Sequence, residues 1–163
     1  MELSEHKMLA APVDAVWAAL NDMSLIQKCI PGCESLTETA PDIYKIVLAA
    51  AIGPVKARFS GTFSVLDIKP GDSYRLKFEG QAGLAGFGSG EAIVSLSDAG
   101  NATQLAYQAS AQVGGRLAQL GSRLIDASAQ RISAKFFDNF ERMINGESNL
   151  APETTTPPCV AGS

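Results

Sequence analysis

From Cys33 onward apolar residues recur at every second position for roughly eighty residues, broken only by turn signals. Glu34 to Thr39 turns through Ala40-Pro41-Asp42 into Ile43 to Ile52, and Gly53-Pro54 separates that run from the next. In Val55 to Ile68, the residues Val55, Ala57, Phe59, Gly61, Phe63 and Val65 share one face, while Lys56, Arg58, Ser60, Thr62 and Ser64 share the other. Lys69-Pro70-Gly71-Asp72 and Asp98-Ala99-Gly100-Asn101 are further turns. They punctuate strands carrying Tyr74, Leu76 and Phe78, then Ala92, Val94 and Leu96, and last Leu105, Tyr107, Ala109, Ala111 and Val113. Six sequential strands with short connections form an antiparallel meander with one wet face and one dry face. The dry face needs a cover.

The only segment large enough to supply one is Gly114 to Gly146, which contains no proline and reads as a single long helix. At the helical angle Ala118, Gly121, Ser122, Ile125, Ala129, Ile132, Phe136, Phe140 and Met143 share a face. Small residues occupy its first half and bulky ones its second. The small half either leaves a hollow over the sheet or allows close helix-to-sheet contact, and native cores tolerate few voids. Leu117, Leu120 and Leu124 lie beside it, placed to line an entrance or a core. Arg116, Arg123, Arg131, Lys135 and Arg142 form a stripe away from the apolar face, which suits plain solvent exposure, contact with anionic lipid headgroups or an acidic partner.

Ahead of the meander, Glu2 to Ala10 reads as a strand of mixed faces containing the only histidine, His6. Pro12 then favours a helix start, Val13, Val16, Trp17 and Leu20 form a short amphipathic helix, and Met23 to Cys29 a second that stops at Ile30-Pro31-Gly32. The 163 residues fit one domain over residues 1–146, followed by a flexible Pro/Thr-rich tail over residues 147–163. A pI near 5.0 argues against nucleic-acid binding. The longest apolar run, Ile46 to Ile52, is far shorter than a membrane span, and the N-terminus lacks the pattern of a signal peptide. The expected location is therefore cytoplasmic. Three cysteines, Cys29, Cys33 and Cys159, without a repeating spacing, read as reduced thiols.

The element order, with the phrases Ile30-Pro31-Gly32-Cys33, Gly53-Pro54-Val55-Lys56-Ala57-Arg58-Phe59 and GGRLAQLGSRLI followed by Lys135-Phe136-Phe137, resembles the CoxG family of carbon monoxide dehydrogenase proteins. That family belongs to the START-like, helix-grip superfamily, which also includes lipid-transfer proteins and the birch-pollen allergen. The likeness covers Met1 to Gly146. It implies an α+β fold in which a curved antiparallel seven-stranded sheet wraps around a long C-terminal helix, with two short helices after the first strand. It also implies an accessory protein for molybdenum-containing carbon monoxide dehydrogenase or related hydroxylases, linked to recruitment of the enzyme to the inner face of the cytoplasmic membrane. The cavity of such a protein is a carrier candidate for a respiratory quinone, and no tightly bound cofactor is expected. Some members continue into an apolar anchor; the Pro/Thr tail here points to peripheral or partner-mediated membrane contact.

No catalytic set is carried over from the family, and one histidine cannot assemble a serine-type relay or a multi-histidine metal site. Gly80 to Gly90 is rich in glycine but lacks the Lys-Ser/Thr of a phosphate loop and has Glu91 where a dinucleotide fingerprint needs glycine, so it is expected to form a pliable hairpin at the cavity mouth. Candidate ligand-lining residues are Trp17, Phe59, Phe63, Phe78, Phe87 and Tyr107, each of which also suits a solid core. On the helix they are Leu117, Ala118, Leu120, Gly121, Leu124 and Ile125. Tyr107 is expected to direct its hydroxyl inward and orient a ligand carbonyl. The alternatives are an enzyme of the cyclase or hydratase kind, which requires inward polar groups, and a pure docking module with a filled core.

Overall fold

The computed structural model describes residues 2–145; the tail expected over residues 147–163, with Cys159, lies outside the described residues. The chain runs β1 (Glu2–Leu9), α1 (Val13–Leu20), α2 (Met23–Cys29), β2 (Cys33–Ala40), β3 (Ile43–Ile52), β4 (Val55–Lys69), β5 (Ser73–Gln81), β6 (Phe87–Asp98), β7 (Thr103–Gly114) and α3 (Ser122–Ile144). The strands form one antiparallel sheet in the order β1-β7-β6-β5-β4-β3-β2. Consecutive strands pair as the turn signals imply, and β1 closes onto β7 with Glu5 opposite Tyr107. The α+β helix-grip architecture expected from the sequence is the one observed.

One element differs. The covering helix does not begin at Gly114: residues Gly115–Leu120 form a 3-10 turn, and α3 starts only at Ser122. Gly115 (φ 74°) and Gly121 (φ 89°) occupy the left-handed region that a continuing α-helix excludes, so two glycines isolate the intervening turn. The turn buries Leu117 and leaves Ala118 and Gly121 exposed, so the small-residue half of the expected face is not laid over the sheet. Beyond Ser122 the expected face holds: Ile125, Ala129, Ile132, Phe136 and Met143 are partly buried and Phe140 fully so, with Phe137 buried beside them.

The fully buried core lies at one end of the sheet. Leu9, Val16, Leu20, Ile26 and Cys29 meet Val94, Leu96 and Leu105 beneath Phe137 and Phe140. Two polar ties hold that end shut: the buried Thr103 hydroxyl donates to the Ala11 carbonyl at 2.8 Å, and Asn139 Nδ2 donates to the Cys29 carbonyl at 3.0 Å. Trp17 meets Tyr74 edge to face at 5.7 Å, and Tyr107 stacks on Phe137 at 5.3 Å.

Phe140→Ala is expected to cost about 3–5 kcal/mol, the range for a fully buried aromatic, read as a shift in the urea midpoint; Met8→Ala, on the exposed face of β1, should cost less than about 0.5 kcal/mol. Burial pushes the Cys29 thiol up from 9.0 to about 11. The folded state therefore holds this proton more tightly than the unfolded chain, a contribution fully present below pH 9 and lost as pH rises toward about 11. Stability measured across that window should fall, and Cys29→Ala should make the fall shallower.

Candidate functional site

At the opposite end of the sheet the inner face stays open. Phe59 and Phe63 on β4, Phe78 on β5, Ile46 and Leu48 on β3 and Val113 on β7 point inward by strand parity, and all are only partly buried. Tyr44 stacks on Phe63 at 5.1 Å and extends this apolar wall. Between the walls the strands carry almost no side chain, because cross-strand pairing aligns Gly61 with Gly80 and Gly80 with Gly88, and places Gly90 between Phe78 and Ala111.

These glycines are required by close approach as well as by space. A Cβ on Gly61 would lie 2.2 Å from the Glu79 carbonyl oxygen, and one on Gly90 would lie 2.2 Å from the Ser110 oxygen and 2.8 Å from the Phe78 ring. Strands that approach so closely are bending sharply, which is where sheets use glycine. The low side-chain bulk of the inner face at this end is thus a property of the strands. The helix contributes Leu124 and Ile125, both partly buried, and Leu124 packs so tightly on the β3–β4 turn that a Cβ on Gly53 would sit 2.4 Å from its Cδ2.

The mouth is closed on one side by backbone against backbone. Gly86 is buried, and a Cβ there would lie 2.3 Å from the Gly114 carbonyl oxygen; one on Gly115 would lie 2.8 Å from Gly86 Cα. The glycine-rich β5–β6 connection, with a short 3-10 turn at Gly83–Ala85, is therefore packed against the β7–α3 connection at its Gly86 end.

Of the twelve residues singled out from sequence, Phe59, Phe63, Phe78, Leu124 and Ile125 come together at this open end. Leu120, partly buried in the 3-10 turn, sits at its rim, and Leu117 is buried between the two connections. Trp17 and Tyr107 belong to the sealed end. Ala118 and Gly121 are exposed, because the 3-10 turn replaces the helix that was to carry them inward. Phe87 is not a wall of the hollow. Its register groups it with Gln81 and Gly114 on the outer side of the sheet, where its ring covers Gly114.

Polar groups do reach the interior. Glu5 and Lys7 share the inward parity of Leu3 and Leu9, with their charges 3.9 Å apart, and Lys7 Nζ stands 6.0 Å from the Phe137 ring. The Tyr107 hydroxyl is hydrogen-bonded to Ser133, so it is already engaged by the protein. Burial raises its pKa, the Ser133 bond opposes that, and Glu5 adds to it. Among the described residues, two buried side-chain oxygens have no partner, Asp126 Oδ1 and Ser128 Oγ, both on the first half of α3.

A groove of about 690 Å³ lies behind the same strands, lined by the outward-parity residues Thr62, Ser64, Lys77, Glu79, Ser89, Glu91, Ser110 and Gln112 and reaching Phe78, Gly90 and Ala111. Its hydroxyls and charges suit a polar rather than an apolar ligand. No cluster of three or more metal-ligating side chains occurs among the described residues. His6 lies on the exposed face of β1 with Gln104 at 3.4 Å, and Cys29 and Cys33 are free.

The family model for CoxG, a carbon monoxide dehydrogenase subunit, matches residues 7–145. The chain belongs to the CoxG family. Among solved structures, this CoxG-family chain is similar to a conserved protein from Geobacillus kaustophilus at 34% identity, over 90% of this chain and 96% of that one, with a TM-score of 0.85. It shares its fold with a START superfamily protein from Mycobacterium smegmatis at 12% identity, over 89% and 97% of the two chains, TM-score 0.70. The Zhui aromatase/cyclase from a Streptomyces species has the same fold at 15% identity, over 89% and 93%, TM-score 0.66. Comparison with curated proteins finds no match. No helix among the described residues is long and apolar enough to cross a membrane.

Gly90→Ala is expected to destabilise the protein by about 1–3 kcal/mol through overpacking. Gly88→Ala, two residues away with its nearest neighbour at 3.4 Å, should cost clearly less in the same denaturant titration.

Proposed function

We propose that this CoxG-family protein is a non-catalytic accessory of a carbon monoxide dehydrogenase-type molybdenum hydroxylase, holding a hydrophobic molecule such as a quinone between the open half of the sheet and the first turns of α3, and helping to bring the enzyme to a membrane. Family membership and the START-like fold support a ligand-binding or accessory role. The observation that carries the ligand reading is the asymmetry of the interior: one end is filled by Phe137, Phe140 and the short helices, while at the other Phe59, Phe63 and Phe78 remain partly exposed around a floor of glycine. An apolar wall with sparse polar groups is what small-molecule sites use. With the Tyr107 hydroxyl occupied, Ser128 is the hydroxyl we assign to a ligand carbonyl, since its buried oxygen lacks a protein partner.

Mass spectrometry of organic extracts of the purified protein should recover an apolar ligand, and a short-chain quinone should raise the melting temperature of the emptied protein. Ala92→Phe, which fills the inner face beside Leu76 and Ala109, should abolish that rise, and Ser128→Ala should weaken binding about two- to ten-fold, the worth of one hydrogen bond. Ligand-free extracts with no quinone-induced shift count against carriage.

A second reading, a cyclase-like enzyme, draws on the interior Glu5, Lys7, Tyr107 and Ser133 cluster and on the fold shared with the Zhui aromatase/cyclase. It requires Tyr107→Phe to remove turnover of an added polyketide-like substrate while leaving the melting temperature within a few degrees. Under the accessory reading no turnover is seen with either form.

A further inference from the structure

Three chain connections converge at the open end of the fold: the β3–β4 turn, the β5–β6 connection and the β7–α3 connection. The contacts of Gly53 with Leu124, and of Gly86 with Gly114 and Gly115, hold them together as one pole. Residues 50–57, 81–89 and 113–125, which build it, contain Lys56, Arg116 and Arg123 and not one Asp or Glu, in a chain whose formal net charge is −4. All three cations are exposed, and none has an acidic partner among the described residues. By contrast Arg58, just outside the pole, is paired with Glu34, and Arg142, at the far end of α3, with Asp138.

The pole also carries two of the three most exposed large apolar side chains among the described residues. Leu84 at the tip of the 3-10 turn is 89% exposed, and Phe87 beside it is 59% exposed. A leucine presented almost wholly to water, on a pole whose three exposed cations have no ion-pair partner among the described residues and whose nearest acid along α3, Asp126, is partly buried, has the composition of a surface that enters the boundary between headgroups and acyl chains while basic side chains meet phosphates.

We propose that this pole docks on an anionic lipid bilayer, Leu84 entering the interface with Phe87 at its rim, and Lys56, Arg116 and Arg123 contacting lipid phosphates. The basic residues that helical spacing aligned in one stripe divide accordingly: Arg116 in the 3-10 turn and Arg123 at the start of α3 bind, and Arg131, Lys135 and Arg142 form an ordinary solvated face. The docked orientation turns the mouth of the hollow toward the bilayer. This deepens the membrane part of the function proposed above and names its surface, but it does not depend on the identity of the ligand.

The test uses the full chain with phosphatidylcholine vesicles containing or lacking phosphatidylglycerol. Wild-type protein should co-sediment with the anionic vesicles and not the neutral ones, and added salt should weaken binding. Leu84→Asp, and Arg116→Glu combined with Arg123→Glu, should each reduce binding at least about ten-fold, whereas Arg131→Glu combined with Lys135→Glu should stay within about two-fold. In Leu84→Trp the new indole should shift to the blue on anionic vesicles. Melting temperatures and the quinone-induced shift are recorded for every variant, which separates loss of docking from loss of fold or of ligand binding. A missing quinone shift with pole-dependent vesicle binding sinks carriage and leaves docking standing. No binding by the wild type, equal binding to neutral vesicles, or undiminished binding by both pole variants overturns the docking proposal, as does a pole needed only for binding purified hydroxylase.

Discussion

A single helix is too narrow to cover seven strands. Six interstrand spacings of ~4.8 Å make a sheet about 29 Å wide, against a helix about 10 Å across with its side chains. Flat, such a sheet would leave most of its dry face in water. The chain solves this by curling the sheet and by splitting the face into two unequal tasks. At one end α1 and α2 supply extra cover and the interior fills with aromatic and branched side chains. At the other no further element is available, and the strands reduce their own bulk instead. Gly61 and Gly90, whose missing Cβ atoms would strike the carbonyl of the next strand, are where that curl is made.

The helix serves the two ends differently for the same reason. Its C-terminal turns carry Phe136, Phe137 and Phe140 against the strands and are tied to α2 through Asn139. Its first turns carry Leu124, Ile125 and Ser128 and rest on the β3–β4 turn. Glu5 and Lys7 intrude on the inner face from an edge strand, where solvent reaches both side chains and limits the cost of their burial.

Much of this is legible in the sequence because it is written in periods and punctuation. Period-two alternation between Gly-Pro, Pro-Gly and Asp-x-Gly breaks locates β3 to β7, and α1 and α2 follow from Pro12 and the stop at Pro31-Gly32. The break before α3 is not legible, because Gly114 to Gly121 has the apolar spacing of a helix and only the backbone torsions of Gly115 and Gly121 reveal otherwise. A hollow is expected from the sequence, but helical spacing points to Ala118 and Gly121 for its small residues. The small residues that thin the inner face sit on the strands instead, and aligning Gly61, Gly80 and Gly88 requires a pairing register that a linear pattern does not contain. Two other placements are within reach of the pattern. Phe87 has the parity of Ser89 and Glu91, which marks it as outward, and Glu5 and Lys7 have the parity of Leu3 and Leu9, which marks them as inward.

The junction of Gly86 with Gly114 and Gly115 has a mechanical meaning. Loops that touch through side chains can slide, since rotamers absorb small displacements. Here main chain rests on main chain, with Leu117 pinned behind it, and no compliant atoms lie between. The two connections are therefore mechanically one piece: the contact continues the β6–β7 ladder, in which Phe87 pairs with Gly114, so a displacement of either connection is passed directly to the other.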